Sequence, residues 1–225
     1  MTGRKSLLSN RGSISERASR AREPGPRFGT GAKRLGLIAL SIALVAAVAA
    51  AVVAFVVPRN SPAAPFPRFV PNAAPAGWAH LTLPNGTAVM SYPPSMRPVS
   101  GDKGSVSVAS RGPTGAIVLY LNATPRQSGE NLGDWASFRL SRLRSDDASS
   151  AHEDSAASGL KFRGGTGSCV IDDYITREGG HHYQEIACLA QGRTGASVIV
   201  AAAAAAQWRQ AEPLLEQAVA AYTVR

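Results

Sequence analysis

The chain has 225 residues and a formal net charge of +9, and nine basic against two acidic side chains give residues 1–34 a charge of +7. The +2 left for the other residues is too small for a polyanion-binding surface, so no nucleic-acid partner is predicted. Residues 35–57 contain no charged side chain and no polar face, which excludes a soluble amphipathic helix there.

The basic arm, residues 1–34, is rich in serine, glycine and arginine and has too few large apolar residues to fold alone. A nucleic-acid or protein-docking role is one interpretation, but Phe28 is the only aromatic residue of the arm. The favoured interpretation is a disordered cytoplasmic arm that orients the chain and rests on anionic lipid, at about 1 kcal/mol per basic residue. Membrane lipid is therefore a predicted partner.

Residues 35–57 are predicted to form a transmembrane helix. At about 1.5 Å per residue the stretch spans about 34 Å, against roughly 30 Å for the hydrocarbon core of a bilayer. The basic arm places the N-terminus in the cytoplasm and everything after the helix outside, as in a single-pass plasma-membrane protein with a signal-anchor. A cleaved secretory signal is the alternative, but the basic and the apolar regions are both too long for one.

Residues 58–77 contain six prolines. They predict a semi-rigid spacer that reaches up to roughly 60 Å at about 3.1 Å per residue. Residues 78–225 have the size of one extracytoplasmic domain. An Asn85-Gly86 turn between apolar stretches predicts a hairpin at the start of this domain. Alternating and apolar runs predict strands at 78–83, 88–92, 105–110, 116–123, 160–163, 168–176, 181–190 and 196–201.

Two principal helices are predicted in this domain. Asn131 is the expected N-cap of the first, with Trp135 on its apolar stripe. The acidic residues 145–158 are expected to form a loop. The second helix covers residues 207–222, with its regular part starting near Pro213 because proline is costly in a helix interior. The order of strands, helix, strands and helix predicts an α+β domain with a mainly antiparallel sheet after the N-terminal transmembrane helix.

The domain resembles the PsbP-like α/β/α sandwich domains, a group with the photosystem extrinsic subunit, the Ran-binding Mog proteins and mycobacterial LpqN-type lipoproteins. The anchor and alanine-rich composition are similar to those of actinobacterial membrane proteins. The resemblance implies an accessory or binding subunit without catalytic activity, and no ligand site of the group maps onto this chain. It is carried by Gly77-Trp78 opening a hairpin, Tyr92-Pro93 ending it, the Trp135 helix, the 167–190 hairpin, and the helix from Trp208 to Tyr222.

Cys169 and Cys188 are the only cysteines and lie outside the membrane in the predicted topology, where disulfides persist. If Thr176 pairs with His181, the two cysteines face each other directly across the hairpin. A bridge closing about 20 residues contributes roughly 3 kcal/mol. A redox-active pair is the alternative, but no C-x-x-C motif is present.

The same register predicts two faces of this hairpin. Ile171, Ile175 and Ile186 fall on the cysteine face and are expected in the core. Asp172 and Glu185 oppose each other on the other face, with His181 on that face too. These three could bind a hard cation or serve as an acid/base pair. An exposed polar face of a half-buried sheet is the favoured alternative.

The sequence predicts no catalytic, metal or cofactor site beyond that candidate cluster. The domain is expected to be a non-catalytic binding or accessory domain of the cell envelope, with another envelope or membrane protein as partner. An envelope hydrolase or metal-dependent enzyme is one alternative. A transmembrane sensor is another, in which the extracytoplasmic domain binds a ligand and the arm contacts a cytoplasmic partner through the apolar cluster of Leu7, Leu8 and Ile14.

Overall fold

The structure, a computed structural model, describes residues 66–67 and 69–225. The predicted basic arm and transmembrane helix lie outside the described residues. In the described part of the chain, no helix combines the length and the apolar character needed to cross a bilayer. For these residues the predicted α+β class, with antiparallel strands and two α-helices, is confirmed.

A small sheet of three antiparallel strands opens and closes the domain. The Asn85-Gly86 turn joins its first two strands as predicted, and Gly86 adopts a φ of 73° that suits glycine. The final strand pairs with the second, next to the start of the fold. The strands are β1 (Ala79–Thr82), β2 (Ala88–Tyr92) and β10 (Thr223–Val224), in the order β1-β2-β10.

A second sheet has seven strands, all paired antiparallel, in the order β3-β4-β5-β9-β8-β7-β6. The side chains of its central strands alternate between two buried faces, which agrees with the nearly continuous apolar sequences of these strands. β3 was not predicted; it is a three-residue edge strand that contains Pro98. The strands are β3 (Arg97–Val99), β4 (Val106–Arg111), β5 (Ile117–Pro125), β6 (Ala148–Phe162), β7 (Gly165–Thr176), β8 (His182–Gln191) and β9 (Ala196–Ala204).

The large sheet is covered on both faces. Helix α2 (Trp208–Ala221) and the small sheet pack on one face, against alternate residues such as Ile186 and Ile199. Helix α1 (Trp135–Arg142) packs on the other, against residues such as Ala187. The two helices and the small sheet therefore determine which side chains of the large sheet are exposed to solvent.

Helix α1 begins at Trp135, later than the predicted N-cap at Asn131 implies. The Asn131 side chain accepts hydrogen bonds from the backbone N–H groups of Gly133 and Asp134, at 2.9 and 3.1 Å. Asn131 thus closes a turn before the helix instead of capping the helix itself. A π-helical turn, Leu143–Asp147, follows α1.

The prediction of a loop at 145–158 was wrong, because most of this stretch belongs to the fifteen-residue strand β6. β6 pairs with β7 along one side, with three irregularities in register. Charges and bulges are typical of edge strands, where they discourage pairing with other chains. Pairing with β7 therefore overrides the weak local strand signal of these small and acidic residues.

The predicted start of the last helix near Pro213 was also wrong, because α2 begins at Trp208, after a 3-10 turn at Ala205–Gln207. Pro213 lies inside α2 on its exposed side. Trp208 and Leu215 are buried on either side of the proline, and their packing holds the helix through the position where the proline lacks an N–H.

The predicted spacer overlaps the folded domain. Phe66 and Phe69 contact the core and each other, with ring centroids 5.5 Å apart. The backbone N–H of Asn72 donates to the carbonyl oxygen of Ala220 at 3.0 Å. The second half of the predicted spacer, with its prolines, therefore lies on the domain and does not form a free stalk.

Candidate functional site

The hairpin of β7 and β8 has the predicted register. Cys169 pairs with Cys188 and Asp172 with Glu185. The backbone N–H of Thr176 donates to the carbonyl oxygen of His181 at 2.8 Å, the pairing from which the register was inferred. Each face of the hairpin therefore carries the side chains assigned to it from the sequence.

On the cysteine face, Cys169 and Cys188 form a disulfide with an S–S distance of 2.08 Å. Both cysteines are buried within the same core as Ile171 and Ile186. Ile175 was expected in this core but is 36% exposed. It lies at the turn end of β7, beyond the residues of the hairpin that belong to this core.

The other face of the hairpin is buried at Asp172 and Glu185, so the expectation of an exposed polar face was wrong at these two residues. Asp172 and Glu185 have exposed fractions of 0% and 1%. Helix α1 covers this face of the sheet, and the indole N–H of Trp135 donates to the carbonyl oxygen of Ala187 at 2.9 Å. Two carboxyl groups therefore lie opposite each other in the interior.

Arg139 of helix α1 is the ionic partner of this pair. Its Nε donates to Oε1 of Glu185 at 2.8 Å, and its guanidinium also contacts that oxygen through a second nitrogen at 2.5 Å. Burial alone lowers the pKa of Arg139, but the carboxyl groups of Glu185 and Asp172 raise it above its ordinary value. The guanidinium therefore stays charged and balances Glu185.

Asp172 has a different environment from Glu185. Neither of its carboxyl oxygens has a hydrogen-bond partner among the described residues. Burial raises the pKa of Asp172 to about 9, with a further increase from Glu185 and an opposing effect of Arg139. Asp172 is therefore neutral at pH 7, and the buried group consists of one neutral acid and one ion pair.

His181 does not join this buried pair. It lies in the exposed turn between β7 and β8, where its backbone N–H donates to Oγ1 of Thr176 at 2.8 Å. Its ring lies 6.3 Å from the ring of Tyr183, centroid to centroid. Within residues 66–67 and 69–225, no three His, Cys, Asp or Glu side chains lie together as ligands for a metal ion.

Arg139 was not among the site residues predicted from the sequence. Its spacing of four residues from Trp135 was the available signal, because residues at i and i+4 share one face of a helix. A charged residue on a predicted apolar stripe indicates a buried partner. With Arg139 bound to Glu185 and helix α1 over the pair, the arrangement can hold a proton in the interior but cannot present a carboxylate to a substrate.

A cleft lies at the opposite end of the sheet. Three hairpin turns and the last strand meet there, and the open cleft between them has a volume of about 880 Å³. Loops held by a rigid scaffold are the usual place for a binding site. No site was predicted from the sequence at these turns. The cleft is lined by residues 85–87, 164–166, 191–194 and 224–225.

Comparison with known proteins gives similarities at the level of solved structures. No protein-family model matches the chain, and no curated protein matches it. The solution structure of cyanobacterial PsbP (CyanoP) from Synechocystis sp. PCC 6803 aligns with 14% identity and a TM-score of 0.48, over 68% of this chain and 95% of that one.

Two further structures align over similar lengths. LpqN, involved in cell envelope biogenesis of Mycobacterium tuberculosis, has 10% identity and a TM-score of 0.42, over 65% of this chain and 90% of its own. A protein of unknown function from Pseudomonas aeruginosa, PA94, has 10% identity and a TM-score of 0.39, over 66% and 97%. No site residue is transferred from these structures to this chain.

Proposed function

We propose that this protein is a single-pass membrane protein whose extracytoplasmic domain is a non-catalytic binding or accessory subunit of the cell envelope. Residues 35–57 have the length and composition of a membrane-spanning helix, and the +7 arm before them favours a cytoplasmic N-terminus. The domain of residues 78–225 then lies outside the plasma membrane.

The burial of Asp172 and Glu185 is the observation that supports a non-catalytic role. A general acid or base must come within hydrogen-bond reach of the proton that it transfers. These two carboxyl groups lie beneath helix α1 with exposed fractions of 0% and 1%. The Glu185 carboxylate already accepts a hydrogen bond from Arg139. An envelope hydrolase or a metal-dependent enzyme that used this pair would have to displace the helix.

Photocrosslinking in the native membrane tests the proposal. A photoreactive amino acid at Val70, whose side chain is 75% exposed, reports contacts of the domain. The same amino acid at Leu7 reports contacts of the arm. We expect a recurring envelope or membrane protein crosslinked through position 70, identified by mass spectrometry.

The two positions control for each other. Crosslinks to a protein partner through position 7 alone would favour the sensor with a cytoplasmic partner. Loss of a measured hydrolytic activity in an Asp172→Ala or Glu185→Ala variant that still folds would contradict a non-catalytic role.

A further inference from the structure

The walls of the cleft are fixed by backbone contacts between segments that are far apart in the sequence. The N–H of Thr194 donates to the carbonyl oxygen of Arg225 at 2.7 Å, and the N–H of Arg225 donates to that of Thr87 at 2.9 Å. A Cβ atom at Gly192 would overlap the carbonyl oxygen of Arg225. The close approach of these segments therefore requires glycine at position 192. The same approach fixes where Arg193 and Arg225 leave the backbone.

The cleft is basic although the domain is not. Residues 78–225 contain thirteen basic and thirteen acidic side chains. Arg193 and Arg225 line the cleft, Arg163 immediately precedes its glycine turn, and no Asp or Glu lines it. Among the described residues, none of these three arginines forms an ion pair. Their guanidinium groups are thus available to a ligand.

Several acidic side chains lie at the other end of the sheet. Asp146 and Asp147 precede β6, and Glu178 lies in the turn after β7. The cleft adjoins the start of β7, a twelve-residue strand. At about 3.3 Å per residue the two ends are roughly 35 Å apart, several times the screening length of about 8 Å at physiological salt. These three acids therefore do not neutralise the cleft.

We propose that this cleft binds the phosphate group of a small ligand. Guanidinium groups pair with phosphate through two parallel hydrogen bonds, and a tetrahedral anion accepts donors from several directions. Here Arg193 and Arg225 come from different segments, and Thr166 and Thr194, which carry hydroxyl groups, line the same space. No Asp or Glu side chain lines the cleft, which disfavours a cation, and the balanced charge of the domain disfavours a long polyanion.

This inference rests on the proposed binding role and gives that role a chemical class. The phosphate could belong to a lipid headgroup or to a soluble phosphate ester, because both present the same oxygens to the arginines. A ligand that binds only the folded state raises the unfolding temperature with its concentration. Binding can thus be measured on the full-length protein with inorganic phosphate as the probe.

The test uses the full-length protein in phosphatidylcholine nanodiscs, titrated with inorganic phosphate at constant ionic strength against chloride. We expect phosphate to raise the unfolding temperature more than chloride does. The variant Arg193→Gln/Arg225→Gln should bind phosphate at least tenfold more weakly. The matched control Lys103→Gln/Arg209→Gln removes the same charge from exposed positions outside the cleft and should bind as the unchanged protein does.

Repeating the titration in phosphatidylglycerol nanodiscs distinguishes the two sources. Weaker phosphate binding there supports a lipid headgroup in the cleft, and unchanged binding supports a soluble phosphate ester. The unchanged protein and both double variants contain the basic arm, so the attraction of the arm to anionic lipid affects all three equally. Equal effects of phosphate and chloride, or an equal loss in the control variant, would overturn the inference. Either result would leave the crosslinked protein partner in place, so this failure is distinct from failure of the proposed function.

Discussion

Asp172 occupies the domain interior with neither carboxyl oxygen hydrogen-bonded among the described residues. An isolated carboxylate in such a place is costly, so the group retains its proton instead. The pKa of Asp172 is raised to about 9 by burial and by Glu185, against about 3.9 for an aspartate in an unfolded chain. Between those two values the folded protein holds a proton that the unfolded chain has released. Rising pH therefore favours unfolding over this range.

Replacing Asp172 with Asn should remove this pH dependence, because the amide has nearly the same shape and does not titrate. We expect Asp172→Asn to have a higher free energy of unfolding than the unchanged protein at pH 8, by more than about 1 kcal/mol, and a smaller difference at pH 5. Urea unfolding followed by tryptophan fluorescence at pH 5, 7 and 8 measures this.

Asp173→Asn is the matched control, because it removes the same carboxyl group one residue along, where the side chain is 30% exposed and contacts His182. It should show no comparable gain at pH 8. Parallel pH profiles for Asp172→Asn and the unchanged protein would show that Asp172 carries no bound proton in the folded state.

The hairpin of β7 and β8 is the element whose pairing the sequence predicted in most detail. Its disulfide joins directly opposed residues 19 positions apart, within the core. A bridge of this span stabilises mainly by restricting the unfolded chain. The disulfide therefore constrains the register of the hairpin within the core.

Removing the bridge should destabilise the domain without changing the register, which the apolar face also specifies. We expect Cys169→Ala/Cys188→Ala to lower the free energy of unfolding by about 3 kcal/mol. A reductant should lower the unfolding temperature of the unchanged protein and have no effect on the double variant. Free thiols in denatured, unreduced protein from its native compartment would contradict the bridge.

At the scale of the whole molecule, the proposed topology places the basic arm and the folded domain on opposite sides of the membrane. The +7 charge of residues 1–34 is the reason for this proposal, because basic segments next to a membrane-spanning helix favour the cytoplasmic side.

Protease added to intact cells should therefore reach the domain and spare the arm. We expect an epitope tag at the N-terminus to survive such treatment and a tag after Arg225 to be lost. Permeabilised cells are the control, in which both tags should be accessible. Loss of the N-terminal tag from intact cells would reverse the topology.

Local patterns in the sequence determined much of the fold. The Asn85-Gly86 hairpin, the stripe of α2, the pairing of Cys169 with Cys188 and that of Asp172 with Glu185 all follow from periods of two or about four residues and from turn chemistry. Such features depend on neighbours in the sequence or on one tight turn, so they can be predicted from the sequence alone.

Tertiary structure decided which elements cover each face of the seven-stranded sheet. Helix α1 buries the polar side of β7 and β8 and brings Arg139 to Glu185, 46 residues away in the sequence. Pairing with β7 makes a strand of most of the acidic stretch 145–158. The basic cleft is assembled from turns at 85–87, 164–166 and 191–194 and from residues 224–225. Period and composition describe one segment at a time, whereas burial, ion pairing and the cleft depend on which distant segments meet.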